Sequence, residues 1–339
     1  MMVKANTINI WRHFLTNFKN WANTRAFAIQ ICFLPLSING MTQVNAFKIY
    51  ESKQILDANC QLGEGSFWDS KRKILWFVDI EKGYVHSFEP NTKRHFSFSV
   101  GQKIGTLVPS RESDRLVLGL QDGIYKSDFG GKDIQKLASI KELNSNQRLN
   151  DGKCDPAGRF WVGGLNTNKK SKESHLFMMD KDNAVSVKLD SISISNGIVW
   201  SRNGEKMFYI DTPTRTVQSF DFEGNTGRIS NRKVIIQTPD SLGWPDGMTI
   251  DENDNLYIGM WGGKCVSIWS SRSGAMLGKV NVDAKNVTSC AFGGEDGKTL
   301  YITTAKQGLS KEELEKYPLS GNLFKAEMDV KGNQMHYWK

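Results

Sequence analysis

The chain has 339 residues, enough for one large core or two ordinary domains. Its formal charge is +8, but residues 1–40 carry Lys4, Arg12, Lys19 and Arg25 and no acid, so the body holds 8 − 4 = +4 with both signs interspersed. No clustered basic face of a nucleic-acid binder is present in the body, and ten Trp and 31 Gly against eight Pro favour strands joined by tight turns.

The first 46 residues stand apart. Trp11, Phe14, Leu15 and Phe18 fall at helical spacing among bases, as in a mitochondrial-type presequence. Residues 26–36 form an apolar stretch of eleven, too short to span a bilayer. Followed by Val44-Asn45-Ala46, that stretch also fits a signal-peptide core with a small-residue cleavage site. The preferred reading is a start at Met41, because the globular pattern begins only at about Phe47. The expected organisation is an extension over 1–46 and one folded domain over 47–339, in the cytoplasm, or exported or organellar if the extension is a cleaved targeting segment.

From residue 69 onward one unit recurs: a polar turn with Gly, Asp or Asn, then a strand rich in aromatic and β-branched residues. The first apolar strand positions are Leu75, Leu116, Phe160, Met207, Leu256 and Leu300, at steps of 41, 44, 47, 49 and 44. Each step leaves room for about four short strands. A strand-built period of roughly 40–50 residues predicts an all-β, six-bladed β-propeller. Residues 47–55 are expected to close the ring beside 322–326 of the last blade.

Counting back ten or eleven residues from each mark exposes a second regularity. Glu64, Asn150, Asn196 and Asp246 occupy one register in four repeats, while Thr106 and Ser289 or Cys290 occupy it in the other two. Gly follows at or next to each: Glu64-Gly65, Asp151-Gly152, Asn196-Gly197, Asp246-Gly247. Residues in one register of a propeller lie at one height around one axis, so four oxygen-bearing side chains should converge at the mouth of the channel. Two carboxylates and two amides suit a hard cation such as Ca²⁺, Mg²⁺ or Mn²⁺. The five His are scattered without metal-pair spacing, and the five Cys are odd in number, widely spaced and without a Cys-x-x-Cys, which argues for free, mostly buried thiols. The run 251–255 looks like a calcium loop but has Leu256 and Gly262 at that loop's glycine and glutamate positions, so it reads as a turn. No nucleophile elbow, phosphate loop or dinucleotide fingerprint occurs.

At these positions the chain resembles the SMP-30/gluconolactonase/luciferin-regenerating-enzyme-like family, which includes regucalcin. The resemblance rests on residues 62–69 (LGEGSFWD), 148–161 (RLNDGKCDPAGRFW), 194–197 (ISNG), 245–251 (PDGMTID) and 288–294 (TSCAFGG). It implies a six-bladed propeller that hydrolyses a sugar lactone to the aldonic acid with one divalent cation (Ca²⁺, Mn²⁺, Mg²⁺ or Zn²⁺). By that similarity Glu64, Asn196 and Asp246 would be metal ligands, Arg148 and Asn150 would contact substrate, and Asp246 would be the general base. One departure stands out: Asn168 falls where family members often carry a Glu that reaches substrate hydroxyls. The polar, basic loop 166–175 is expected at the rim of the mouth. Two competing functions remain, a non-enzymatic calcium-binding regulator and a scaffold for protein partners.

Overall fold

A computed structural model describes residues 46–168 and 170–339. The expected extension falls almost wholly outside the described residues. The described residues form six antiparallel sheets around one axis, the predicted propeller. Each blade begins with an inner strand: Gly63–Asp69, Ile104–Pro109, Gln147–Cys154, Ser195–Trp200, Trp244–Ile250 and Asn286–Gly293. All six sequence marks fall in the second strands, such as Ile74–Asp79 and Lys206–Asp211. These strands are buried on both faces along nearly their whole length, which is why they read as continuous apolar runs rather than alternating ones.

The blades grip one another through large side chains. Trp161 of blade three is fully buried, edge-on to Trp200 of blade four at 5.8 Å between centroids. Trp68 of blade one stacks on Tyr301 of blade six at 5.3 Å, and Tyr257 of blade five meets Phe292 of blade six at 4.9 Å. Aromatic pairs in these geometries contribute about 0.5–1.5 kcal/mol each beyond the area they bury.

The ring closes by a shared segment. Lys53–Leu56 pairs antiparallel with Leu323–Glu327 of blade six, as expected. The residues just before do something else: Lys48–Glu51 runs parallel to Met276–Asn281 as a fifth strand of blade five. One nine-residue stretch thus bolts two neighbouring blades together and covers an edge of each. At the other end of the chain, residues 331–339 cross beneath the inner strands. Asn333 N–H donates to Ile250 O at 3.0 Å, Trp338 N–H to Pro109 O at 3.1 Å, and Tyr337 OH to Asp69 Oδ1 at 2.9 Å.

Cys60, Cys154, Cys265 and Cys290 are free, buried thiols, as read from the sequence. Two histidines set apart in the sequence are neighbours in the fold. His86 and His95, on facing strands of blade one, meet ring to ring with Nδ1···Nε2 at 2.9 Å. A separation of nine residues hides a cross-strand neighbour. No helix among the described residues is long and apolar enough to cross a membrane.

Candidate active site

The register that holds the candidate residues is a break in the sheet. In every blade the pairing between inner and second strand slips near its start: Glu64/Phe67, Ile104/Thr106, Leu149/Gly152, Asn196/Ile198, Pro245/Met248 and Val287/Cys290. Six bulges at one height re-aim the side chains there. The glycines make the break possible. Gly65 has φ +62°, and a Cβ on Gly197 would lie 2.8 Å from Asp246 O and 2.7 Å from the Met248 Cβ. Neighbouring inner strands approach too closely there for any other residue.

Glu64, Arg148, Asn150, Asn196 and Asp246 all line one cavity of about 350 Å³ at this end of the ring. All five are at most 6 % exposed. The predicted set therefore comes together. Thr106 and Ser289, in the same register, are spent elsewhere: Thr106 Oγ1 donates to Gly152 O at 2.9 Å, and Ser289 Oγ accepts from Ser66 N–H at 3.3 Å.

The loops that deliver Glu64 and Asn196 are held alike. Asp79, ending the second strand of blade one, accepts from the N–H groups of Gln61 and Leu62 at 2.8 and 3.1 Å. Asp211 does the same in blade four for Ser193 and Ile194, at 3.2 and 2.9 Å. The amides form a chain. Asn150 Nδ2 donates to Ser195 O at 2.7 Å and to Asn196 Oδ1 at 3.2 Å, and its own Oδ1 accepts from Arg148 at 2.6 Å. Asn196 Nδ2 donates to Thr212 Oγ1 at 2.8 Å, which donates on to Pro245 O at 2.9 Å. Both amide orientations are thereby set, and Asn196 lines the same cavity as the two carboxylates.

Charge is concentrated and unbalanced. Burial, then the charge of Asp151, raises the Glu64 carboxyl well above the carboxylate range. Burial, then the charges of Glu64 and Asp151, raises Asp246 likewise. Burial lowers Arg148 against the attraction of Glu81, Glu64 and Asp246. Among the described residues neither Glu64 nor Asp246 has a salt-bridge partner within 4.0 Å. Two buried, mutually repelling carboxylates and the Asn196 amide in one cavity form a donor set that fits one hard divalent ion.

Sequence reasoning missed Asp151. Its Oδ1 accepts from its own Gly152 N–H, while Oδ2 is buried without a hydrogen-bond partner. Lys153 lies 3.9 Å from it and donates to Met248 O at 3.0 Å, deeper in the ring. Strict alternation would point Asn150 and Asp151 to opposite faces, but the bulge lets both approach the axis. A Gly at 152 rather than 151 was the available signal. Among the described residues of loop 166–175 none lines the cavity; Leu165, just before it, does, and Asn168 is exposed.

Comparison with known proteins agrees with this architecture. Residues 62–306 match the SMP-30/Gluconolactonase/LRE-like region. The chain belongs to that family. It is 34 % identical to regucalcin of Danio rerio over 80 % of this chain and 92 % of that one. It is 32 % identical to the pentonolactonase XacC of Haloferax volcanii, over 74 % and 84 %. A solved luciferin-regenerating enzyme superposes with a TM-score of 0.78 at 29 % identity, covering 83 % of this chain and 96 % of the other.

Proposed function

We propose that this family member is a lactone hydrolase assisted by one divalent cation, with sugar lactones as the substrates its relatives' names bring forward. The observation that carries the reading is the pair Glu64 and Asp246, buried and unpaired beside Asn196 in the cavity that also holds Arg148. Glu64, Asn196 and Asp246 would hold the cation. When bound, such an ion polarises a carbonyl oxygen and makes a nearby water more acidic.

The chain's own groups do the rest. A carboxylate oxygen of Asp246 takes the proton of the attacking water. The water oxygen bonds to the carbonyl carbon, the ring C–O bond breaks, and the leaving alkoxide takes the proton held by Asp246, giving one hydroxy acid and restoring the carboxylate. Arg148 spends one nitrogen on Leu149 O and Asn150 Oδ1, at 3.0 and 2.6 Å, leaving its other N–H groups to face substrate oxygen. Asn150 has both N–H groups committed to Ser195 and Asn196. It orients Arg148 and Asn196 and offers substrate only its remaining acceptor capacity.

The regulatory alternative shares the ligands but has no use for Arg148. That buried guanidinium favours the enzyme. The test is acid release from a lactone panel by metal-stripped protein, before and after adding Ca²⁺, Mn²⁺, Mg²⁺ or Zn²⁺. Turnover restored by one ion and lost in Asp246→Asn supports the reading. Metal binding without turnover on any lactone moves the assignment to a calcium-type regulator.

A further inference from the structure

The walls of the cavity have a different chemistry from its floor. With Glu64, Asn196 and Asp246, the cavity is lined by Leu62, Leu165, Ile194, Pro213, Trp244 and Trp261. The polar wall groups are few. Thr212 Oγ1 already accepts from Asn196 and donates to Pro245 O. Both N–H groups of Asn150 are used inside the protein. Apart from the floor, Arg148 and Gln307 are left to meet a ligand. Trp244 is 41 % exposed, yet it is held fixed: the Arg215 guanidinium lies 3.6 Å from its ring centroid and is itself anchored on Gly243 O at 2.6 Å and Asp240 at 3.2 Å. An exposed aromatic locked in place at a cavity mouth is a preorganised apolar surface.

A lactone with a hydroxyl on every ring carbon would set most of those hydroxyls against carbon, where they lose water and gain no partner. A lactone with an apolar arm would place its ester over the carboxylates and its arm on the two tryptophans. Resting on the lactone-hydrolase reading, we propose that the preferred substrate is a lactone carrying an alkyl or aryl substituent, recognised by the Trp244–Trp261 wall, rather than a fully hydroxylated aldonolactone. The ester chemistry is unchanged and the wall sets the choice.

The test is continuous titration of acid released by the full chain, loaded with whichever of the four cations supports turnover. δ-Valerolactone, its pentyl-substituted homologue δ-decalactone and D-glucono-δ-lactone are compared after subtraction of spontaneous hydrolysis. We expect kcat/KM for the pentyl lactone to exceed that for the gluconolactone by about a hundredfold. Trp244→Ser, on a half-exposed side chain, should narrow the ratio of pentyl to unsubstituted lactone by about tenfold. A gluconolactone rate equal to or above the pentyl rate overturns the inference and leaves the lactonase reading standing. A ratio unmoved by Trp244→Ser removes the wall as the recognising element. Hydrolysis of no lactone with any cation overturns both.

Discussion

Asp246 carries two duties in the proposed mechanism, so its isosteric amide separates them from packing. Asp246→Asn keeps the volume and removes the charge; kcat should fall by about 10²–10⁴ while the metal-free protein melts at or above the wild-type temperature. Parallel kinetics and calorimetry check this, and a large loss of metal-free stability would mean the carboxylate is structural. Arg148→Lys is not conservative here, because a lysine cannot bond Leu149 O and Asn150 Oδ1 and still reach substrate. We expect it to raise KM and lower kcat together. His86 sits apart from the site and gives a pH signature of its own. Burial, then His95, holds its pKa down to about 4, with Asp79 pulling up and Lys82 pushing down. The unfolded chain therefore binds the proton first, near pH 6.5, and stability present above that pH drains away as pH falls toward 4. The full loss is about 3 kcal/mol. Wild type should lose stability relative to His86→Phe between pH 7 and pH 5 in denaturant melts, a comparison that cancels the opposite contribution of the raised Glu64 and Asp246 carboxyls.

The inner strand with its bulge is the element that makes the site. Gly197→Ala would drive a methyl into Asp246 O and Met248, so it should cost about 1–3 kcal/mol in a denaturant melt and weaken metal binding as well. A loss of stability with metal affinity intact would separate the bulge from the ligand geometry. The six repeats were legible because the second strands are buried on both faces and announce themselves as apolar runs such as 75–78 and 256–258. The register of the cavity residues was legible because the bulge falls at the same offset in each blade, leaving Glu64, Asn150, Asn196 and Asp246 ten or eleven residues before each mark. What stayed hidden depends on distance across the ring rather than along the chain. Asp151 looked like half of an Asp-Gly turn, and His86 and His95 looked unrelated. Each acquires its surroundings only when blades or facing strands meet.

At the scale of the whole ring, a cation that binds the folded site and not the unfolded chain stabilises all six blades at once. At a free concentration a hundredfold above its Kd the gain is about 2.7 kcal/mol. Scanning calorimetry with and without the ion should register an upward shift of several degrees, absent in Glu64→Gln. The far end of the ring has its own cavity, of about 380 Å³, lined by Lys153, Thr249 and residues 331–336 of the terminal strap. Chelation should leave that strap in place, since its bonds to Ile250, Pro109 and Asp69 owe nothing to the carboxylates.

The closing segment sets a clock on assembly. Lys53 pairs with Lys325, which is 325 − 53 = 272 residues later. At ribosomal speeds of about 5–20 residues per second, roughly 15–50 s separate the synthesis of the two partners. For that interval Lys53–Leu56 has no mate, and the blade-six edge it covers is the last to be closed. The ring can be completed only after the last blade has left the ribosome. A chain lacking residues 48–56 would keep the edges of blades five and six open for life, and its fate should be association between copies rather than simple unfolding.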